Sequence, residues 1–166
     1  MNRRTLLIFA VTCLLVGAPA IAQETTDTSK AETPMVNLKI KLASIMVDDQ
    51  AKAEEFYTAK LGLEVKHKMP VGEYYWLTFV SPNDTAGMEL SLEPNVNPAA
   101  ATYQKALKEQ GIPAFMFFVE DVAATVEALK ERGVTITMEP TDMDSTVVAV
   151  FDDTCGNLIM IAQETE

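Results

Sequence analysis

The chain has 166 residues, a length that suits one ordinary domain with a buried hydrophobic core. It contains 24 acidic and 13 basic residues, and its formal net charge is −11 at pH 7. This excess of negative charge argues against nucleic acid and anionic membranes as partners, because both would repel the protein. The acidity does not define a ligand.

The N-terminus has the three-part pattern of a secretory signal peptide. Two arginines at positions 3 and 4 precede an apolar run over residues 6–16, and residues 20–22 form a small-x-small cleavage site. We therefore expect residues 1–22 to be removed and the protein to be periplasmic or secreted. An uncleaved N-terminal anchor is the alternative. The polar residues 23–35 lack apolar periodicity and predict a flexible segment.

Removal of residues 1–22 leaves Cys155 as the single cysteine, so no internal disulfide is possible. An odd cysteine in an exported protein either pairs between chains, reacts, or lies partly buried without a chemical role. We expect the last of these.

One sequence pattern occurs twice in the remaining chain. Residues 44–62 and 116–133 each combine an apolar strand, a Val-acid-Asp motif and an amphipathic helix that ends at a glycine. Asp49 and Asp121 stand where helix N-caps belong. Apolar residues at helical spacing give each helix one face for burial.

Three strand-like stretches follow each helix, so that each half has the order β-α-β-β-β. The stretches are residues 63–66, 74–80 and 88–92, then 134–138, 146–151 and 158–162. The modules cover about residues 38–93 and 112–162, and a helix over about 99–110 links them. Neither module buries a sheet face alone. The sequence therefore predicts one α+β domain over residues 36–166, with a curved mixed sheet, a concave trough and helices outside.

This doubled module resembles the vicinal-oxygen-chelate superfamily, which has the glyoxalase and bleomycin-resistance fold. The residues that carry the resemblance are Val47-Asp48-Asp49, Phe56-Tyr57, Leu61-Gly62, Phe118-Val119-Glu120-Asp121, Glu131-Arg132-Gly133 and the closing turn from Phe151 to Asn157. The resemblance implies either a metal-dependent enzyme, as in glyoxalase I and the extradiol dioxygenases, or a protein that sequesters antibiotics.

The metal enzymes of that superfamily use four ligands from four strands, usually His or Glu. Carried over by their distance from the motifs, these positions are Leu42, Glu89, Ala114 and Met160. Leucine and alanine donate nothing to a metal, a thioether is a poor ligand, and one carboxylate does not hold such an ion against water. We therefore expect no metal or other cofactor. The only histidine, His67, is expected to be an exposed strand residue.

Period-two alternation predicts which side chains line the trough. The set is Leu42, Ser44, Met46, Glu89, Ser91, Glu93, Ala114, Met116, Phe118, Leu158, Met160 and Ala162, and the lone tryptophan, Trp76, is a further candidate. Loops over residues 68–73 and 139–145 are expected to flank its mouth. A mostly apolar, methionine-rich surface is typical of small-molecule sites, although the same stripe also suits a plain core.

Glu89 is the candidate catalytic residue. Burial beside Leu42 and Met160 would raise its pKa and let it act as a general base, or pair with a cationic or hydroxyl group. A surface or structurally paired glutamate is the alternative.

Three functions stay open. The first is a metal-free small-molecule binder, which in the antibiotic-sequestering branch usually works as a homodimer with ligands in shared grooves. The second is a lyase or isomerase of the glyoxalase type that uses Glu89, and the third is a protein-interaction module with a filled trough. The missing metal ligands favour the first function over the second. The sequence identifies neither the ligand nor whether the modules pair within or between chains.

Overall fold

The computed structural model describes residues 36–82 and 87–164. The expected signal peptide and flexible N-terminus, residues 1–35, lie outside the described residues, and export stays a prediction. Within the described ranges, no helix is both long and apolar enough to cross a membrane.

The described residues form eight strands and three helices in the predicted order. The first module contains β1 (Leu42–Val47), α1 (Gln50–Ala59), β2 (Glu64–Val71), β3 (Tyr74–Val80) and β4 (Glu89–Pro94). The linking helix is α2 (Pro98–Glu109). The second module contains β5 (Phe115–Phe118), α3 (Val122–Glu131), β6 (Ile136–Asp142), β7 (Thr146–Asp152) and β8 (Leu158–Glu164). The β-α-β-β-β order of both modules is confirmed.

Each module forms its own four-stranded mixed sheet, with the strand orders β1-β4-β3-β2 and β5-β8-β7-β6. The pairs β1–β4 and β5–β8 are parallel, and the other pairs are antiparallel. The predicted α+β class is confirmed. The described residues form two open sheets, whereas the sequence predicted one curved sheet made by both modules. Strands β1 and β5 are outermost strands.

The acids of the repeated motif begin the helices as predicted. Asp49 Oδ1 accepts hydrogen bonds from the amides of Ala51 and Lys52 at 2.8 and 3.1 Å. Asp121 Oδ1 accepts one from the amide of Ala124 at 2.9 Å. These bonds satisfy amide donors that the first helical turn leaves without an intrahelical partner.

One hydrophobic core serves both modules. Phe56 of α1 stacks on Phe151 of β7 with ring centroids 6.4 Å apart, and the Tyr57 ring lies 6.2 Å from that of Phe79 on β3. Leu92 of β4 and Leu129 of α3 belong to the same buried cluster. The helix-facing sides of both sheets therefore share this core. Because alternate strand residues point to opposite faces, the other side of each sheet points away from it.

A buried glutamine fastens the linking helix to both modules. Gln104 Nε2 of α2 donates to the carbonyl of Met46 at 2.7 Å and to the carbonyl of Cys155 at 3.1 Å. Its Oε1 accepts from Asn95 Nδ2 at 2.6 Å. The Cys155 thiol is fully buried, and burial raises its pKa to about 12. The thiolate, which is the reactive form, is therefore scarce at neutral pH. This agrees with the expectation of a cysteine without a chemical role.

The strands β2 and β6 are longer than predicted. Residues 68–73 and 139–145 were expected to be loops, but β2 continues to Val71 and β6 to Asp142. Both are outer strands of their sheets. Pro70 and Pro140 fit there, because an outer strand leaves one row of amides without a ladder partner.

Candidate functional site

The side of the first sheet that points away from the core carries the residues predicted for the trough. Parallel pairing of β1 with β4 aligns Leu42 with Glu89, Ser44 with Ser91, and Met46 with Glu93. The residues between them, such as Ile45 and Leu90, belong to the core. Alternation puts the aligned pairs on the opposite side, which we call the first trough face.

This face continues across β3 and β2. Thr78 pairs with Ser91 on one side and with His67 on the other, so these three residues share the face. Trp76 lies on it as well, because it stands two residues before Thr78. The sequence had left the direction of Trp76 open.

Glu89 does not have the environment that was predicted for a general base. Its side chain is 18% exposed, and Lys66 Nζ lies 2.8 Å from its Oε1. Thr78 Oγ1 donates to Oε2 at 3.1 Å, and His67 Nε2 lies 3.8 Å from the same oxygen. The hydrogen bond from Lys66 lowers the pKa of Glu89, because it stabilises the carboxylate more than partial desolvation destabilises it. The predicted rise in this pKa is therefore wrong.

A bulge explains why sequence reasoning missed the partners of Glu89. The register of β2 shifts between Val65 and His67, and Lys66 is the extra residue. Under strict alternation Lys66 and His67 would point to opposite faces, whereas a bulge turns both toward the same carboxylate. His67 is 45% exposed, as expected, but it lies beside Glu89. The signal available in the sequence was the pair of basic residues, Lys66 and His67, on the strand that follows α1.

The other end of β4 holds a second carboxylate. Ser91 Oγ donates to Glu93 Oε1 at 2.6 Å, as Thr78 does to Glu89 at 3.1 Å. Both hydroxyl residues are almost fully buried beneath the acids that they contact. The two glutamates are four positions apart along the strand, or about 13 Å. The first trough face therefore carries two carboxylates beside the apolar residues Leu42, Met46 and Trp76.

The second sheet presents an apolar counterpart, which we call the second trough face. Pairing of β5 with β8 aligns Met116 with Met160 and Phe118 with Ala162. Their strand neighbour Phe117 packs on the core, so Met116 and Phe118 point away from it. The two side chains are 43% and 64% exposed.

Two predicted site residues lie where this second sheet begins. Ala114 directly precedes β5, and its amide donates to the carbonyl of Leu158 at 2.8 Å. Leu158 begins β8 and is buried. Alternation puts Ala114 on the side of Met116 and Leu158 on the side of Met160.

The chain does not bring all predicted site residues into one trough. Glu89 and Met160 belong to different sheets, and the trough faces of those sheets both point away from the shared core. The predicted burial of Glu89 beside Met160 is therefore wrong for a single chain. The predicted proximity of Glu89 to Leu42 is correct, since the two are paired across β1 and β4.

These donors do not fit the divalent cation of the metal enzymes. Leu42 and Ala114 lack donor atoms, Met160 offers only a thioether, and the Glu89 carboxylate is engaged by Lys66. In residues 36–82 and 87–164, no three His, Cys, Asp or Glu side chains are grouped to hold a metal ion. A protein without a metal cofactor stays a prediction.

Two linked β-α-β-β-β modules, each with a trough face turned from a common core, define a doubled-module α+β protein. The chain belongs to the Glyoxalase/Bleomycin resistance protein/Dioxygenase superfamily, whose family model matches residues 39–161.

Similar proteins come from several bacteria. The chain is 54% identical over 127 residues to the Uncharacterized protein YurT of Bacillus subtilis (strain 168). The alignment covers 76% of this chain and 100% of YurT. The structure of UcmS2 matches with a TM-score of 0.68 and 32% identity, over 78% of this chain and 100% of UcmS2. TnmS3, an antibiotic binding protein from Streptomyces sp. CB03234, matches with a TM-score of 0.63 and 26% identity, over 79% of this chain and 99% of TnmS3.

Proposed function

We propose that the protein is a metal-free small-molecule binder that acts as a homodimer. The first trough face of one copy and the second trough face of the other would together enclose each ligand. The apolar second trough face carries this proposal, because Phe118 and Met116 remain 64% and 43% exposed in the single chain. Exposed apolar patches of this kind mark ligand or partner surfaces.

The edge strands offer a way to join two copies. Strands β1 and β5 are each the outermost strand of an open sheet. An edge strand has unpaired backbone groups that can bond to a strand of another chain. Pairing β1 of one copy with β5 of the other would create the predicted curved sheet between chains. Two-fold symmetry would then give two equivalent grooves per dimer.

The ligand surface and the relatives support small-molecule binding. Met116 and Met160 are paired on the second trough face, and methionine adapts to irregular ligand shapes. The match to TnmS3, an antibiotic binding protein, is consistent with a groove of this type. Export through the signal-like residues 1–22 would place the binder in the periplasm or outside the cell.

The two alternative functions have weaker support. A lyase or isomerase would need Glu89 as its base, but a carboxylate with a lowered pKa that bonds Lys66 accepts a proton poorly. A protein-interaction module with a filled trough would need its lining side chains buried against one another. The exposed side chain of Phe118 does not fit that arrangement.

The test of metal independence is a calorimetric titration of the purified protein with Ni²⁺, Zn²⁺, Mn²⁺ and Mg²⁺. We expect no tight stoichiometric binding by the wild type or by Glu89→Ala. Tight binding that Glu89→Ala abolishes would contradict the proposal and restore a glyoxalase-type enzyme.

The test of the groove uses naphthylmethanol, a neutral apolar aromatic probe. We expect it to bind the wild type and to bind Met116→Ser and Met160→Ser more weakly. Val96→Ser is the matched control, because Val96 is 61% exposed and lies on neither trough face. Equal weakening by all three variants would contradict binding at the second trough face.

A further inference from the structure

We propose that the ligand is a cationic, amphipathic small molecule whose charged group pairs with Glu93 beside Trp76. Its apolar body would pack against the second trough face. This inference rests on the proposed function and names the ligand class of the same groove.

The two acids of the first trough face differ in their charged partners. Glu89 has Lys66 Nζ at 2.8 Å and His67 Nε2 at 3.8 Å. Glu93 bonds the neutral hydroxyl of Ser91 at 2.6 Å. No ion pair involves Glu93 in the part of the chain that the structure describes. Of the two carboxylates, Glu93 is therefore the one whose charge a ligand can neutralise.

The sheet opens beside Glu93. The pairing of β3 with β4 consists of Thr78 with Ser91 and Phe79 with Leu90. Beyond these pairs, toward Tyr75 and Leu92, a side-chain amide from α1 replaces the backbone hydrogen bonds between β3 and β4. Gln50 Nε2 donates to the carbonyls of Tyr75 and Leu92 at 2.9 and 2.7 Å, and Gln50 Oε1 accepts from the Tyr75 amide at 2.9 Å. The inserted amide holds β3 and β4 apart.

Trp76 and Glu93 border this opening on the first trough face. Trp76 stands two residues before Thr78, and Glu93 stands two residues after Ser91, which is the partner of Thr78. In a closed ladder, opposed Cβ atoms lie about 4.5–5.5 Å apart. The pairing of β3 with β4 does not continue to Trp76 and Glu93, so a ligand group would enter between the indole and the carboxylate.

An indole face and a carboxylate together select an organic cation. The carboxylate supplies ionic attraction, and tryptophan is the best of the aromatic rings for cation–π contact. The net charge of −11 adds a long-range attraction for cations. At the far end of the same face, Lys66 is already bonded to Glu89. The ligand cation is therefore directed to Glu93.

The test compares naphthylmethylamine, naphthylmethanol and naphthoate, which share a ring system and differ in charge. Each probe is titrated into the purified full-length protein at neutral pH by calorimetry. We expect the amine to bind at least about tenfold more tightly than the alcohol, and the naphthoate to bind most weakly. Glu93→Gln should remove the advantage of the amine, because it should weaken binding of the amine at least about tenfold more than binding of the alcohol. Glu127→Gln on α3 is the matched control and should preserve the ranking.

A second variant covers the case in which Glu93→Gln folds poorly. Trp76→Leu should reduce the affinity for the amine more than that for the alcohol. Equal affinities for amine and alcohol in the wild type would overturn this inference and leave the proposed function standing, as would an amine advantage that persists in Glu93→Gln. Failure of all three probes to bind would overturn the proposed function as well.

Discussion

The hydroxyl of Tyr57 donates a hydrogen bond to Asp153 Oδ2 at 3.1 Å, and both residues are fully buried. Tyr57 belongs to α1 of the first module, whereas Asp153 begins the turn between β7 and β8 of the second. The bond therefore joins the two modules. Burial raises the pKa of Asp153, and the Asn157 side chain and the amides of Cys155 and Asn157 oppose this shift by donating to the carboxylate.

Loss of the Tyr57 hydroxyl should destabilise the protein. Tyr57→Phe removes one donor to a buried carboxylate, and we expect the free energy of unfolding to fall by about 1.5–3 kcal/mol. Asp153→Ala should have a larger effect, because it leaves the donors of the turn without an acceptor. Urea unfolding measures both changes. Tyr103→Phe, at a ring that is 64% exposed, is the control. An equal cost for Tyr57→Phe and Tyr103→Phe would contradict the role of the bond.

A methyl group at Gly156 should disrupt the fastening of α2. Gly156 has φ +103°, and an added Cβ would lie 2.5 Å from Gln104 Nε2. Gln104 is held by the carbonyls of Met46 and Cys155 and cannot move without breaking those bonds. Backbone strain alone costs about 1–3 kcal/mol. We expect Gly156→Ala to lower the free energy of unfolding by more than this. Gly111→Ala, at φ +71° with no atom within 4 Å of its Cβ, measures the cost of a positive φ without a steric clash. Similar losses of unfolding free energy in both variants would contradict the predicted clash with Gln104.

The pairing of Glu89 predicts a specific pH dependence. Its lowered pKa means that the ionised carboxylate stabilises the folded state above the unfolded pKa of about 4.3. This contribution disappears as the pH falls through the lower pKa of the folded state. Glu89→Gln should therefore melt at a lower temperature than the wild type at pH 7, by a modest amount because Lys66 is partly exposed. The difference should shrink as the pH falls below about 4.3 and through the lower pKa of the folded state. A difference in melting temperature that is constant with pH would contradict the stabilising role of the ionised Glu89. Glu120→Gln on an exposed loop is the control.

Cys155 should resist alkylation in the folded protein. The thiol is fully buried and burial raises its pKa to about 12, so reactive thiolate is scarce at pH 8. In a Cys13→Ser background, Cys155 is the only cysteine. We expect iodoacetamide to label it at least about a hundredfold more slowly in buffer than in urea. Comparable rates under the two conditions would show that the thiol is accessible.

The repeated motif made the fold predictable because it contains local signals. Asp49 and Asp121 cap their helices through short-range hydrogen bonds, and such bonds depend on residues only two or three positions away. The strand β3 also has its predicted bounds, residues 74–80, because its apolar residues stand between turn residues. The relation between the modules was not predictable. Both sides of β1 carry apolar side chains, such as Leu42 and Ile45, and composition does not show which side enters the common core.

The candidate site was predictable only in part. Alternation places Glu89 and Ser91 on one face, and the pairing of β1 with β4 has that arrangement. The contacts of Lys66 and His67 with Glu89 depend on a bulge, which alternation does not reveal. The opening beside Glu93 depends on Gln50, which reaches β3 and β4 from a helix distant in sequence.

The central claim is that two copies of the chain complete the binding groove, and sedimentation equilibrium tests it most directly. We predict twice the single-chain mass for the wild type and the single-chain mass for Met116→Glu, because Met116 lies on the exposed second trough face. Met116→Glu should also lose binding of naphthylmethanol. Val96→Glu, at a more exposed position outside both trough faces, should remain a dimer and bind the probe. A wild-type protein that binds the probe as a monomer would contradict the account.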